Sequence, residues 1–177
     1  DVELVRRMIE RGPNAPWTSS VGRLFDAVAS ILGLRDVAGY EGQAAAELEG
    51  AAAESEPAGA YPIEVFEEGG CWVGRPAPLV RALAADVRRG VDRARAARRF
   101  HAGLVEMIRE ICARLRAEFG LDRVVFSGGV FMNARLGLDA ERALARDGFR
   151  VYQHEAVPPN DGGLCLGQLA VAAAGEA

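Results

Sequence analysis

The chain has 177 residues, half of them hydrophobic and about a quarter charged, with a formal net charge of −4. That is enough for one compact domain with a core, and the negative balance argues against a general nucleic-acid binder. No apolar run reaches the roughly 18 residues that a membrane-spanning helix needs. All 21 basic residues are Arg, and Lys is absent. A P-loop needs its Lys to reach the phosphates, and a Schiff-base enzyme needs one as nucleophile. Both are therefore excluded, and any phosphate must be held by backbone N–H groups, Arg, hydroxyls or metal. Source codon bias gives the same composition without function.

The three cysteines, Cys71, Cys112 and Cys165, form no CxxC pair, which disfavours a zinc finger or thioredoxin-like site. Their apolar company predicts reduced, mostly buried thiols in a cytoplasmic protein. The opening stretch from Asp1 to Met8 has no signal-peptide pattern. It has no initiator Met and begins in helical register, which reads as a piece of a longer protein.

In chain order, residues 2–11 predict a helix with Val2, Val5, Met8 and Ile9 on one face, stopped by Gly12-Pro13. A helix over 18–32 starts at Thr18, Ser19 and Ser20 and ends at Gly33. Leu24, Phe25, Val28, Ile31 and Leu32 form its apolar stripe. Asp26 inside it is either a solvated carboxylate or one that faces a cleft and accepts hydrogen bonds from a sugar diol. Tyr40 to Glu49 opens an Ala-rich helix, and 53–60 is a polar loop. Tyr61 to Phe66 and Cys71 to Val73 predict a hairpin.

A helix over 76–89 and a longer one over 91–119 follow, the latter with Phe100, Leu104, Met107, Ile108, Ile111, Leu115 and Phe119 on its buried face. Between Arg88 and Arg99 lie six arginines, either a solvated helix face or a docking surface for an acidic partner. Strands over 122–126 and 149–154, and helices over 133–146 and 164–174, complete the pattern. His101 and His154 both read as structural. Asp161, beside two glycines at a helix start, is a helix cap or a hard oxygen ligand for a metal. Each of the two clearest strands feeds a glycine-rich turn and a helix, which points to a layered α/β domain.

The central stretch is Val124-Val125-Phe126-Ser127-Gly128-Gly129-Val130-Phe131-Met132-Asn133. A buried strand ends in paired glycines and a helix begins. Without a Cβ in the way, the backbone can approach a ligand closely, and the helix start suits an anion. A purely structural turn gives the same pattern.

Four motifs appear in order: Thr18-Ser19-Ser20-Val21-Gly22-Arg23-Leu24-Phe25-Asp26-Ala27-Val28, Tyr40-Glu41-Gly42-Gln43-Ala44-Ala45, Phe126 to Asn133, and Val157-Pro158-Pro159-Asn160-Asp161-Gly162-Gly163-Leu164-Cys165-Leu166-Gly167-Gln168. Together they resemble the C-terminal, carbamoyl-transfer part of the HypF carbamoyltransferases, which act in [NiFe]-hydrogenase maturation. The resemblance spans nearly the whole of residues 1–177. It implies an α/β fold of the actin/sugar-kinase/heat-shock ATPase type, of which this chain is about one lobe. It implies ATP and carbamoyl phosphate as substrates by way of carbamoyl-adenylate, with the C-terminal Cys of a HypE-type protein as acceptor. The product becomes the cyanide ligands of the active-site iron.

By position, the resemblance makes Asp26 the ribose ligand, with Glu41 and Gly42 lining the same pocket. Ser127, Gly128, Gly129 and Asn133 bind the nucleotide. Asp161 ligates a divalent metal (Fe, Zn or Mg), which polarises carbamoyl or phosphate oxygens. The family's other metal ligands lie on a His-x-x-x-His helix. His101 and His154 are the only histidines here, and they do not make that spacing. The pair is expected upstream of this chain, which then holds about one lobe of the two-lobed catalytic domain; the upstream domains of the same protein are expected partners. The isolated chain is expected to bind metal weakly, to transfer no carbamoyl group, and to self-associate through an exposed lobe face. Competing readings are an O-carbamoyltransferase or tRNA threonylcarbamoyl-transfer relative, and a non-catalytic scaffold lobe.

Overall fold

The computed structural model describes residues 2–175. Helix α1 (Val2–Arg11) and helix α2 (Val21–Ile31) stand where the periodicity places them. Ser20 caps α2 by accepting from the Arg23 backbone N–H at 3.3 Å. Helix α3 (Gln43–Ala53) starts later than expected. Gly42 is left-handed at φ +81°, and a turn from Tyr40 to Gln43 precedes the first helical residue. Only a residue without Cβ takes that conformation at no steric cost.

A hairpin follows, β1 (Glu64–Glu68) antiparallel to β2 (Cys71–Arg75). The strand expected from Tyr61 begins at Glu64 instead. Tyr61 is spent otherwise: its backbone N–H donates to the Arg99 carbonyl, and its ring is buried. Helix α4 (Ala77–Arg88) and the long helix α5 (Arg93–Phe119) come next, α5 capped by the Asp92 side chain at the Arg95 N–H. Strand β3 (Arg123–Val125) leads through a single 3-10 turn (Gly129–Met132) into α6 (Ala134–Arg146). Strand β4 (Arg150–Tyr152) pairs parallel with β3, in the register Val124 to Val151. A parallel pair needs a crossover, and α6 supplies it. After a second 3-10 turn (Asp161–Gly163) comes α7 (Leu164–Gly175).

The core lies where α2, α3, α4, α5 and α6 meet. Phe25, Val28, Leu48, Leu79, Leu83, Phe100, Leu104, Leu136 and Leu144 are almost wholly removed from solvent. The β3–α6–β4 layer closes on it through Phe126 and Phe149.

Two helices keep their apolar faces outside this core. No residue of α1 or α7 is buried, and Val2, Val5, Ile9, Leu164, Leu166, Leu169 and Val171 are exposed. The expectation of mostly buried cysteines also fails. Cys71 opens β2 beside the hairpin turn, Cys165 is on α7, and both are exposed; Cys112 is half-buried on α5. Burial pushes the Cys112 thiol above its ordinary value.

The six arginines between Arg88 and Arg99 are not uniformly a solvated face. Arg89 and Arg99 pair with the buried Asp86, Arg98 pairs with Asp139 at 2.8 Å, and Arg93 donates to the Gly33 carbonyl at 3.2 Å.

Candidate functional site

The strand β3 ends at Val125, and the chain turns sharply at Gly128, whose φ is +89°. Three contacts fix that turn. Phe126 stacks on Phe131 at 4.3 Å between ring centroids. The Phe126 backbone N–H donates to the Tyr152 carbonyl at 2.9 Å, extending the parallel pairing. The Gly128 N–H donates to the Pro159 carbonyl at 2.8 Å, tying the turn to the loop that carries Asp161. Sequence-distant motifs thus become neighbours.

Ser127, Gly128, Gly129 and Asp161 line one open cleft of about 920 Å³. Its other wall is the exposed face of α7, including Gln168 and Val171. The loop holding Asp161 is tight. Asn160, not Asp161, caps the short turn, its side-chain oxygen accepting from the Gly162 N–H at 3.1 Å. This leaves the Asp161 carboxylate out of the capping role that the sequence pattern offered it. A Cβ on Gly163 would stand 2.6 Å from the Pro158 carbonyl oxygen, so the loop closes on a bare backbone there.

His154 also lines this cleft, with Nε2 at 3.3 Å from Ser127 Oγ. Its position at the end of β4 reads as structural; the structure leaves it exposed in the cleft beside Ser127. Only the strand-end pattern hinted at this, since parallel strands deliver their C-terminal ends to one edge of the sheet.

Asp26, Glu41 and Gly42 line a different and smaller pocket of about 460 Å³. Asp26 pairs with Arg23 at 3.0 Å, one helical turn back. The pocket floor is stiffened by polar links. Arg35 grips Glu47 through two nitrogens at 2.6–3.1 Å, Gln43 donates to Glu47 at 3.0 Å and accepts from the Gly39 N–H at 2.7 Å, and Ser30 donates to Asp36 at 2.8 Å. The hydrogen bonds from Arg35 hold the Glu47 carboxyl below its ordinary range. The structure therefore brings together Asp26, Glu41 and Gly42 in one pocket, and Ser127, Gly128, Gly129 and Asp161 in another.

Asn133 lines neither. It is buried and caps α6, Oδ1 accepting from the Leu136 N–H at 2.8 Å. Its Nδ2 donates to His101 Nε2 at 3.2 Å.

Among the described residues no cluster of three His, Cys, Asp or Glu side chains is placed to hold a metal. Asp161 offers one carboxylate, which alone does not make a coordination site.

The family model of the carbamoyltransferase Kae1-like domain, second subdomain, matches residues 1–168. The HypF carbamoyltransferase of Rhodobacter capsulatus is 39% identical over 175 residues, covering 97% of this chain and 22% of the relative. A HypF homolog of Cupriavidus necator is 36% identical, covering 96% of this chain and 44% of the relative. The crystal structure of full-length HypF in the phosphate- and nucleotide-bound form superposes with a TM-score of 0.91 at 35% identity, over 97% of this chain and 22% of that one. HypF of T. kodakarensis gives 0.77 at 25% identity, over 93% and 21%. The chain thus spans about a fifth to under a half of the length of these relatives, and within that span it belongs to the HypF carbamoyltransferase family, as the second subdomain of its Kae1-like domain.

Proposed function

We propose that this chain is the nucleotide-binding lobe of a HypF-type carbamoyltransferase, with a lobe architecture of the actin/sugar-kinase/heat-shock ATPase type. The observation that carries the reading is the meeting of the Ser127-Gly128-Gly129 turn and Asp161 in one cleft, through the Gly128 to Pro159 hydrogen bond. The likeness to a HypF solved with phosphate and nucleotide supports it. Backbone N–H groups at a glycine turn are suited to phosphate oxygens, and no lysine is needed.

In this reading ATP or carbamoyl-adenylate lies against Ser127, Gly128 and Gly129. Asp26 accepts from the ribose hydroxyls, with Glu41 and Gly42 beside it, and Asn133 shapes the turn from behind. Asp161 contributes one ligand to a divalent metal whose remaining ligands come from outside this chain. The acceptor is the C-terminal Cys of a HypE-type protein, for cyanide ligand synthesis in [NiFe]-hydrogenase maturation in the cytoplasm. The isolated chain lacks those outside groups and is inactive in transfer. The uncovered apolar face of α7, which forms the far wall of the cleft, receives the rest of the domain; in its absence it favours self-association.

Calorimetric titration of ATP into the purified chain, with and without Mg²⁺, tests the reading. Saturable binding that weakens in Asp26→Ala is the expected result. No binding by a protein that includes the upstream domains would overturn it.

A further inference from the structure

His101 has no place in either pocket, yet its ring reaches the residue that joins the glycine turn to α6. It is completely buried on α5, edge-on to Phe25 and Phe100 at 5.4 and 5.5 Å between ring centroids. An imidazole sealed among phenyl rings is costly unless its polar atoms are partnered.

Both atoms are partnered, and the partners dictate the tautomer. His101 Nδ1 lies 2.8 Å from the Ala97 carbonyl oxygen. A carbonyl only accepts, so Nδ1 carries the proton. His101 Nε2 is then a lone pair, 3.2 Å from Asn133 Nδ2, which only donates. The Asn133 Oδ1 is left to accept from the Leu136 N–H at 2.8 Å. The relay runs one way, from Leu136 to Asn133 to His101 to Ala97, and each member fixes the orientation of the next.

The backbone of Asn133 carries this order to the site. Its N–H donates to the Val130 carbonyl at 3.2 Å, closing the 3-10 turn, and its carbonyl accepts from the Gly137 N–H at 3.0 Å, inside α6. Gly129 is the first residue of that turn, and Gly128 immediately precedes it.

We propose that His101 is a positioning residue: acting through Asn133, it holds Ser127, Gly128 and Gly129 in the conformation that receives a ligand phosphate. The phosphate half of this rests on the nucleotide reading above; the positioning half stands on the geometry alone.

The test uses the chain in three variants. His101→Leu fills the space but accepts nothing. His101→Gln restores an acceptor. Asn133→Ser keeps a capping oxygen for α6 but is too short to reach His101. Backbone hydrogen exchange is followed at Gly128, whose N–H is bonded to Pro159, and ATP affinity is measured on the same samples. His101→Leu and Asn133→Ser should each speed Gly128 exchange and weaken ATP by about tenfold, the loss of roughly one buried hydrogen bond. His101→Gln should recover most of both, and the mid-α2 amides should stay protected throughout. If His101→Leu does not fold, Asn133→Ser and His101→Gln carry the test. Unchanged Gly128 exchange in a folded variant overturns the positioning role. Wild-type protein that binds no ATP while the exchange effect appears overturns the phosphate half and leaves the positioning role supported.

Discussion

The hydroxyl of Tyr61 donates to the carboxylate of Asp86 at 2.7 Å, joining residues far apart in the chain beneath the α4–α5 corner. Asp86 is 2% exposed and also receives Arg89 and Arg99, while Arg99 lies over the Tyr61 ring at 4.3 Å. Burial alone would raise the Asp86 carboxyl, but Tyr61 and the two guanidinium groups more than offset it and hold it below its ordinary value. Burial, together with the bond to Asp86, pushes the Tyr61 hydroxyl up. Removing one partner of a buried charged pair leaves the other uncompensated. Asp86→Ala should therefore destabilise by about 3–5 kcal/mol, and Tyr61→Phe by about 1 kcal/mol. Urea melts read both. The contribution of Asp86 is full above pH 3.8, its ordinary value, and is lost as pH falls below it.

Two glycines in helices should respond with opposite signs. Gly50 lies inside α3 with nothing within 4 Å of where a Cβ would stand. Gly50→Ala should stabilise by about 0.5–1 kcal/mol by removing backbone freedom from the unfolded chain. Gly103 lies inside α5, and its Cβ would stand 2.5 Å from the Tyr61 carbonyl oxygen. The same propensity gain applies, but the helix must move off the Tyr61 backbone. Gly103→Ala should cost about 1–3 kcal/mol net. Thermal melts of the two variants side by side check the sign of each.

Low pH should act on the core through His101. Burial lowers its pKa from the ordinary 6.5; the Ala97 hydrogen bond opposes this, as does Glu49 on α3, while Arg98 on α5 and Arg135 on α6 add to it. The unfolded chain then binds a proton more readily than the folded one. Stability is full above about pH 6.5 and falls as pH drops below that value, until the folded-state pKa is passed. His101→Gln has no such proton to bind, so its stability should fall less over the same window. Denaturant midpoints taken from neutral to mildly acid pH distinguish the two proteins; parallel curves would rule the effect out.

Much of this molecule was legible from periodicity and punctuation. The stripe Leu24, Phe25, Val28, Ile31 and Leu32 marks α2 because a helix must bury one face, and Gly33 marks its end because left-handed backbone favours glycine. The meeting of Gly128 with the Asp161 loop was not legible. It depends on a backbone hydrogen bond to Pro159, and backbone partners leave no trace in side-chain pattern. The apolar residues of α1 and α7 stay exposed; an apolar face read from periodicity says that something covers it, not that this chain does. Asn133 shows what a position carried over by resemblance leaves out: in the structure both ends of its amide are engaged inside the fold, at Leu136 and His101. The contact of His154 with Ser127 and the pairing of Arg99 with Asp86 left no local signal, because each joins residues well apart in the chain.

The two pockets can be told apart by substitutions that separate binding from stability. Asp26 lies on the exposed side of α2, and its ion pair with Arg23 is a surface one. Such pairs contribute little, so Asp26→Ala should change stability by no more than about 1 kcal/mol. If Asp26 accepts hydrogen bonds from a ribose, the same change should weaken ATP by about tenfold and leave inorganic phosphate unaffected. Gly128→Ala should do the reverse. At φ +89° a side chain is strained, which costs about 1–3 kcal/mol, and the turn it distorts is the one assigned to phosphate. That variant should lose phosphate and ATP together, with a lower melting temperature. Calorimetric titration of both ligands into both variants, alongside thermal melts, gives the four outcomes. A loss of phosphate binding in Asp26→Ala would mean that the small pocket, not the glycine turn, holds the phosphate.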